Sequence, residues 1–179
     1  MSTESVDPKY QSYVTPNELV KRLENMQNLR PAPRVQGAHV ALIVGSWHNY
    51  IVDRLLQGAL DALNERGIDD ASITIMHAPG AYEIPVIANK AAKSNQYQAI
   101  ITLGAVIKGE TPHFDYVAGE CARGLAEVAR EFELPIGFGV LTVNNVEQAM
   151  ARAQAGESNK GREAVMAAID TLSLLEQIK

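Results

Sequence analysis

The sequence Ala105-Val-Ile-Lys-Gly-Glu-Thr-Pro-His-Phe-Asp-Tyr-Val117 joins the end of an apolar run to the start of an amphipathic pattern. The run, Ala99 to Ile107, is almost unbroken and has the length of a strand that is covered on both faces of a parallel sheet. Beyond the polar segment, apolar residues recur at helical spacing and predict a helix that begins after Asp115: Val117, Cys121, Leu125, Val128 and Phe132. A helix is therefore predicted just after the carboxyl end of a buried strand, which is where open α/β sheets bind their ligands.

The same alternation of strand and helix patterns runs through most of the chain. Three more apolar runs predict strands at Val40 to Gly45, Ile73 to Met76 and Ile136 to Leu141. Amphipathic patterns predict a helix between successive strands and two more after the last strand, at residues 146–152 and 158–176. This alternation implies right-handed crossovers, and hence a parallel sheet with helices on both faces.

A length of 179 residues with 46% hydrophobic side chains suits one compact domain, which we place at residues 38–179. Residues 1–37 are polar and hold four of the eight prolines, so we expect a partly disordered extension outside the core. Within it a short helix is predicted to begin near Asn17, because Pro16 is tolerated in a first helical turn.

Composition excludes several classes of partner. The net charge of -5 and the lack of any Lys/Arg cluster argue against nucleic acid. No stretch reaches the length of a membrane span and the first residues lack the core of a signal peptide, so we expect a cytoplasmic protein without a membrane partner.

The single cysteine, Cys121, lies on the apolar stripe of a predicted helix. Core packing is its favoured role, and a catalytic thiol is the weaker alternative because it would need an activating base.

Polar and aromatic groups follow the predicted strands, where they could share one crevice. Trp47, the only tryptophan, is either a lid on the core or a platform that stacks on a planar ligand. Glu83 opens a helix after Gly80, and its plain interpretation is a carboxylate that stabilises the helix N-terminus. His113 lies at the rim of a predicted anion site, where a side chain that ordinarily titrates near neutrality suits a general acid/base.

Four motifs, taken in order, resemble those of the lumazine synthase family. They are Ala78-Pro-Gly-Ala-Tyr-Glu-Ile-Pro85, Val106-Ile-Lys-Gly-Glu-Thr-Pro-His-Phe-Asp-Tyr-Val117, Phe138-Gly-Val-Leu-Thr142 with Glu147-Gln-Ala149, and Asn159-Lys-Gly161 with Glu163-Ala164. The resemblance runs from about Val40 to the C-terminus. It implies a three-layer, flavodoxin-like α/β fold whose four-stranded parallel sheet has the order 2-1-3-4.

The resemblance also implies an activity. Lumazine synthases are transferases of the penultimate step of riboflavin biosynthesis, and they condense 5-amino-6-ribitylamino-2,4-pyrimidinedione with 3,4-dihydroxy-2-butanone 4-phosphate. The products are 6,7-dimethyl-8-ribityllumazine, phosphate and water, and neither a cofactor nor a metal is expected. Two alternatives stay open: a non-catalytic carrier of flavin or lumazine, and another phosphosugar or nucleotide enzyme on a similar sheet.

Site residues follow from the resemblance position by position. Those implied to bind the pyrimidine and its ribityl chain are Trp47, Ala81, Tyr82, Glu83, Val106, Ile107 and Phe138. Those implied to bind phosphate are Gly109, Glu110, Thr111, Arg152 and Lys160, with Glu110 acting through its backbone. The implied catalytic pair is His113, which moves protons, and Glu163, which orients it. Where the family has Arg and Asn around its aromatic residue, this chain has Ser46 and His48.

Assembly into a homopentamer, with active sites between adjacent subunits, is a further implication of the resemblance. Each site is expected to combine two sets from neighbouring chains, namely Trp47, Glu83 and His113 on one side and Phe138, Arg152 and Lys160 on the other. Capsid-forming members favour a Gly-Thr-Lys-Ala-Gly-like turn where this chain has Gln154-Ala-Gly-Glu-Ser158. We therefore expect pentamers that do not build a larger capsid.

Overall fold

The computed structural model describes residues 17–178, and within this range the chain forms two compact units. The first, residues 17–30, holds the helix α1 (Asn17–Glu24), none of whose residues is buried. This confirms the helix predicted near Asn17. The second unit begins at Pro31 and contains the sheet. Residues 1–16 lie outside the described range, so the partial disorder expected for the extension stays a prediction.

Residues 31–178 form four strands and five α-helices. The strands are β1 (Val40–Gly45), β2 (Ile73–Ala78), β3 (Ala99–Ile107) and β4 (Ile136–Val143). The helices are α2 (Asn49–Glu65), α3 (Ile84–Lys93), α4 (His113–Phe132), α5 (Val146–Arg152) and α6 (Lys160–Leu175). Short 3-10 turns cover Asp70–Ser72 and Ala81–Glu83.

All four strands are parallel and lie in the order β2-β1-β3-β4, which confirms the predicted flavodoxin-like sheet. β1 is paired on both sides, since Val40 lies opposite Ile73 of β2 and Ala99 of β3. β3 is central as well and has β4 along its other edge. Central strands of such a sheet are covered on both faces, which is why β1 and β3 are nearly continuous apolar runs.

Helices cover both faces of the sheet. Successive residues of a strand point to opposite sides, so β1 contributes to two separate cores. Leu42 packs in a core with Leu55 of α2 and Ile169 of α6, and α5 lies on the same side. Ile43 packs in the other core with Leu125 of α4, and α3 lies on that side. The protein thus has the three layers that alternating strands and helices predict.

Strand β4 lets α6 approach the sheet closely because two glycines face that helix. A Cβ on Gly137 would lie 2.4 Å from the carbonyl O of Ala164 in α6, and one on Gly139 would lie 3.3 Å from Cβ of the same Ala164. Phe138 stands between these glycines and therefore points to the opposite face of the sheet. The two glycines thus fix the side on which the Phe138 ring emerges.

Two predicted helix starts are wrong. α4 begins at His113 and not after Asp115, so His113 is the first residue of the helix and does not lie in the loop ahead of it. α6 begins at Lys160, not at Ser158, because the side chain of Asn159 caps the helix by accepting hydrogen bonds from the first N–H groups.

Residues 31–37, which precede the proposed domain boundary, belong to the second unit. Val35 is buried there, and its N–H donates to the carbonyl O of Arg66 at 3.0 Å.

Among the helices of residues 17–178, none is long and apolar enough to cross a membrane.

Gly137→Ala is expected to lower the free energy of unfolding by about 1–3 kcal/mol, the usual cost of overpacking, because the added methyl group meets backbone and not a flexible side chain. Gly119→Ala is the matched control, since a Cβ on this exposed residue of α4 would meet nothing within 4 Å. Replacing glycine inside a helix stabilises it by about 0.5–1 kcal/mol. Denaturant unfolding at one fixed protein concentration measures both effects, and a neutral Gly137→Ala would contradict the close approach of α6.

Candidate active site

An open cavity of about 570 Å³ lies at the carboxyl ends of β1 and β3. After β1 the chain turns to α2 on one face of the sheet, and after β3 it turns to α4 on the other face. The two loops therefore diverge and leave a crevice at the point where the strand order reverses. Its volume falls in the range of small-molecule binding sites.

Trp47 lies in the loop between β1 and α2, on one wall of the cavity. Ser46 fixes this loop to the end of β2, since its N–H and its hydroxyl both donate to the carbonyl O of Ala78, at 3.0 and 2.9 Å. His48 then adopts the left-handed conformation with φ of 57° and immediately precedes α2. The indole is 70% exposed, so within this chain it is not a lid on the core and is available to a ligand.

Gly80 lets Trp47 and Glu83 approach each other. Its backbone is extended, so glycine is not required here for its conformation. A Cβ at this position would lie 3.1 Å from Cδ1 of Trp47 and 3.1 Å from Oε2 of Glu83. Glycine is therefore favoured here for space, because a larger residue would displace the indole or the carboxylate that share this wall of the cavity.

The opposite wall is the loop from β3 to α4. Lys108 ties the start of this loop to the sheet, since its N–H donates to the carbonyl O of Val143 at 2.9 Å. Gly109, Thr111 and His113 line the cavity, and no side chain caps α4. The first N–H groups of a helix have no partner within it, and the helix dipole favours negative charge there. This wall can therefore bind an anion beside an imidazole.

Arg152, Lys160 and Glu163 form a second cluster, at the end of α5 and the start of α6. Nη1 of Arg152 donates to the carbonyl O of Gln148 at 3.0 Å. Nζ of Lys160 donates to both carboxylate oxygens of Glu163 at 2.7 Å. The Glu163 carboxylate raises the pKa of the Lys160 ammonium, while the nearby Arg152 charge lowers it. Two cations and one carboxylate thus lie close together, and Lys160 keeps its positive charge at neutral pH.

The predicted site residues divide between the cavity and other places on the chain. Those that line the cavity are Trp47, Ala81, Tyr82, Glu83, Val106, Ile107, Gly109, Thr111 and His113. Glu110 is exposed on the same loop but is not among the described lining residues. Phe138, Arg152, Lys160 and Glu163 do not line the cavity of their own chain. Within the chain, therefore, the carboxylate of Glu163 contacts Lys160 and not His113.

Sequence reasoning missed several lining residues. They are His48, Gly80, Ala105, Phe114, Tyr116 and Val117. Tyr116 and Val117 stand three and four residues after His113, on the same side of α4, so helical spacing could have identified them. Among the described residues, no group of three or more His, Cys, Asp and Glu side chains is placed to hold a metal ion.

Comparison with known families gives a match over most of the chain. The model of the family described as 6,7-dimethyl-8-ribityllumazine synthase matches residues 37–176. This range contains the whole sheet and both clusters of predicted site residues.

Cys121 is fully buried on the inner face of α4. Burial raises the pKa of its thiol from an ordinary value of 9.0 to about 11. The nucleophilic form of cysteine is the thiolate, so a neutral buried thiol is unsuited to catalysis. Core packing is accordingly the role that the structure supports for this residue.

The thiol of Cys121 is expected to react with iodoacetamide at pH 8 at least about 100-fold more slowly in the native protein than in denaturant, because the raised pKa leaves little thiolate. The protective effect is present below the ordinary pKa of 9.0 and is lost as the pH rises towards 11. Mass spectrometry measures the reaction without ambiguity, since the chain has one cysteine. Equal rates in native and denatured protein would contradict the buried position.

Proposed function

The chain belongs to the 6,7-dimethyl-8-ribityllumazine synthase family, and we propose that it condenses 5-amino-6-ribitylamino-2,4-pyrimidinedione with 3,4-dihydroxy-2-butanone 4-phosphate. The products are 6,7-dimethyl-8-ribityllumazine, phosphate and water, as in riboflavin biosynthesis. The observation that carries this proposal is the place of His113, which opens α4 at the rim of a cavity that also holds an exposed indole. A planar substrate, an anion and a proton-transfer group fit this one cavity together.

The pyrimidine stacks on Trp47, whose exposed ring offers a flat apolar surface. Backbone groups of Val106 and Ile107, at the end of β3, lie on the same cavity and bind the edge of the ring. Ala81, Tyr82 and Glu83 hold the ribityl chain, and the carboxylate of Glu83 accepts hydrogen bonds from its hydroxyl groups. Holding two substrates face to face in this way can supply roughly 7–11 kcal/mol of the reduction in the barrier.

The phosphate of the second substrate binds at the N-terminus of α4. Backbone N–H groups of Gly109, Glu110 and Thr111, with the Thr111 hydroxyl, suit its oxygens, and the helix dipole attracts its charge. The carboxylate of Glu110 would repel the phosphate, so this residue acts through its backbone. Arg152 and Lys160 add two positive charges, which stabilise the phosphate as it leaves.

The reaction begins when the 5-amino nitrogen of the pyrimidine attacks the ketone carbon of the butanone phosphate. Loss of water gives a Schiff base, elimination then breaks the carbon–oxygen bond to phosphate, and ring closure releases a second water. His113 accepts a proton from the attacking amine and returns protons to the oxygens that leave. Glu163 orients the imidazole in the complete site.

A complete site built from two chains is supported by four proposed site residues that do not line the cavity of their own chain: Phe138, Arg152, Lys160 and Glu163. Four exposed aromatic rings support an interface between chains, since such rings are enriched at subunit contacts: Trp47 at 70%, Tyr82 at 57%, Tyr116 at 69% and Phe138 at 44% exposure. We infer a cyclic homopentamer in which the cavity of one subunit receives the second cluster of its neighbour. A head-to-tail interface of this kind closes into a ring.

Incubation of the purified protein with both substrates is expected to produce fluorescent lumazine. His113→Ala should slow the reaction by about 10²- to 10⁴-fold, the usual range for loss of a general acid/base. His39→Ala is the matched control, since this exposed histidine immediately precedes β1 at the other end of the sheet. We expect it to behave as the parent protein.

Two results would reject the proposed reaction, and a third would reject the role of His113. Tight binding of lumazine or flavin without turnover would identify a carrier, which has no need of His113. A parent that neither binds nor converts these substrates would favour another enzyme of phosphorylated compounds. Equal turnover by His113→Ala and the parent would remove His113 from the mechanism.

A further inference from the structure

Asn159 immediately precedes α6 and is almost fully buried. Its Oδ1 accepts hydrogen bonds from the N–H groups of Gly161 and Arg162 at 2.9 and 3.2 Å, which caps the helix. Its Nδ2 donates to the carbonyl O of Arg54 in α2 at 3.0 Å and to that of Ala153, just after α5, at 3.2 Å. One side-chain amide therefore joins three helices.

α2 and α6 meet at this amide through two glycines. A Cβ on Gly161 would lie 2.0 Å from the carbonyl O of Leu55, and a Cβ on Gly58 would lie 2.4 Å from Cγ of Asn159. Both distances are much shorter than a van der Waals contact, so only glycine leaves room for the two helices and the amide. The Asn159 amide is thus held in place by its hydrogen bonds and by close packing.

Arg162 adds a second connection of α6 to α2 and to the α5–α6 loop. Its two Nη atoms donate to the two carboxylate oxygens of Glu65 in α2, both at 2.7 Å, and its Nε donates to Glu157 of the α5–α6 loop at 3.2 Å. The side chains of Glu65 and Glu157 are 56% and 90% exposed. The Arg162 side chain is only 13% exposed, and its pair with Glu65 joins α6 to α2 without reaching the loop. Only the pair with the exposed Glu157 reaches the loop, and such a pair contributes little, so we assign the main restraint on the loop to the buried amide.

The restraint acts on the two cations of the second cluster. Arg152 immediately precedes Ala153, and Lys160 immediately follows Asn159. The hydrogen bond from Nδ2 of Asn159 to the carbonyl O of Ala153 therefore closes the loop that separates these cations. Arg152 and Lys160 carry the same charge, and the Arg152 charge lowers the pKa of the Lys160 ammonium, so a fixed loop helps to keep the two cations together.

We propose that Asn159 is a positioning residue for phosphate binding, because its buried amide fixes the distance between Arg152 and Lys160. The inference rests on the proposed function for the nature of the ligand, which is a phosphate ester. It goes further by assigning part of the affinity for this ester to a residue that does not contact it. Loss of the amide donor should therefore weaken phosphate binding while the pyrimidine is bound as before.

Capping of α6 and closure of the loop can be separated by substitution. Asp and Ser cap helices about as well as Asn, so Asn159→Asp and Asn159→Ser both keep an oxygen for the N–H groups of α6. Neither side chain keeps the amide donor to Arg54 and Ala153. A residue that only capped α6 would tolerate both substitutions, whereas a residue that closes the loop would tolerate neither.

The test measures binding of inorganic phosphate by calorimetry, and the KM of each proposed substrate, for the full-length parent and variants. Asn159→Asp and Asn159→Ser should weaken phosphate binding about 10- to 100-fold, as expected for displaced contacts, and raise the KM of the phosphorylated substrate by a similar factor. The KM of the pyrimidine and the helix content should not change. Arg152→Ala gives the reference for a lost phosphate contact, and Thr171→Ala, an exposed change farther along α6, should behave as the parent.

Unchanged phosphate binding by a folded Asn159→Ser would overturn the inference, as would equal rises in both KM values or a parent that binds no phosphate. If the Asn159 variants do not fold, Gly58→Ala decides, because its Cβ displaces the amide and leaves Asn159 in the chain. Weakened phosphate binding by Gly58→Ala would support the inference, and parent-like binding would overturn it. A parent that binds phosphate but makes no lumazine would reject the proposed function alone, and the phosphate measurements would still decide on Asn159.

Discussion

The crevice between β1 and β3 exists because the chain leaves these adjacent parallel strands towards opposite faces of the sheet. Everything in the cavity depends on this divergence. It places the indole of Trp47 on one wall and the start of α4, with His113, on the other. The proposed reaction between a planar pyrimidine and a phosphorylated ketone uses both walls, since one is apolar and flat and the other suits an anion.

Close packing of α6 determines the rest of the site. Gly137 and Gly139 let this helix approach β4. Because successive residues of a strand point to opposite faces, Phe138 between them points to the other face of the sheet. Gly58 and Gly161 let it approach α2, where Asn159 is buried. The second cluster is therefore built on a closely packed support, although its residues do not line the cavity of their own chain. In the proposed mechanism this support positions the charged groups, because small displacements of a contact are costly.

The sequence predicts the fold well because buried parallel strands have nearly continuous apolar sequences. Val40–Gly45 and Ala99–Ile107 could be identified without any other information, and their order followed from the resemblance to lumazine synthases. The start of α4 was misplaced because Pro112 and His113 carry no capping side chain that would mark it. For residues in contact across the fold, such as Asn159 with Arg54, no local pattern gives the pairing.

The candidate site was predictable only in part, because local sequence patterns do not show which distant residues come into contact. Residues that follow strands, such as Trp47 and His113, share the cavity because strand ends share an edge of the sheet. The ion pair of Lys160 with Glu163 could have been predicted from their spacing of three residues on a helix, which favours such contacts. The expectation that Glu163 orients His113 needs a second chain, and spacing within one sequence cannot test it.

The central claim is that a complete site takes its cavity from one chain and its cationic cluster from the next. Its most direct test is to unfold His113→Ala and Arg152→Ala proteins together, refold them, and assay lumazine formation at a concentration of phosphorylated substrate where each variant alone is slow. Mixed rings should recover activity at boundaries where an intact His113 faces an intact Arg152, about one quarter of all boundaries for random head-to-tail assembly. Rings shown to contain both variants, but with no recovered activity, would mean that each chain holds its own complete site.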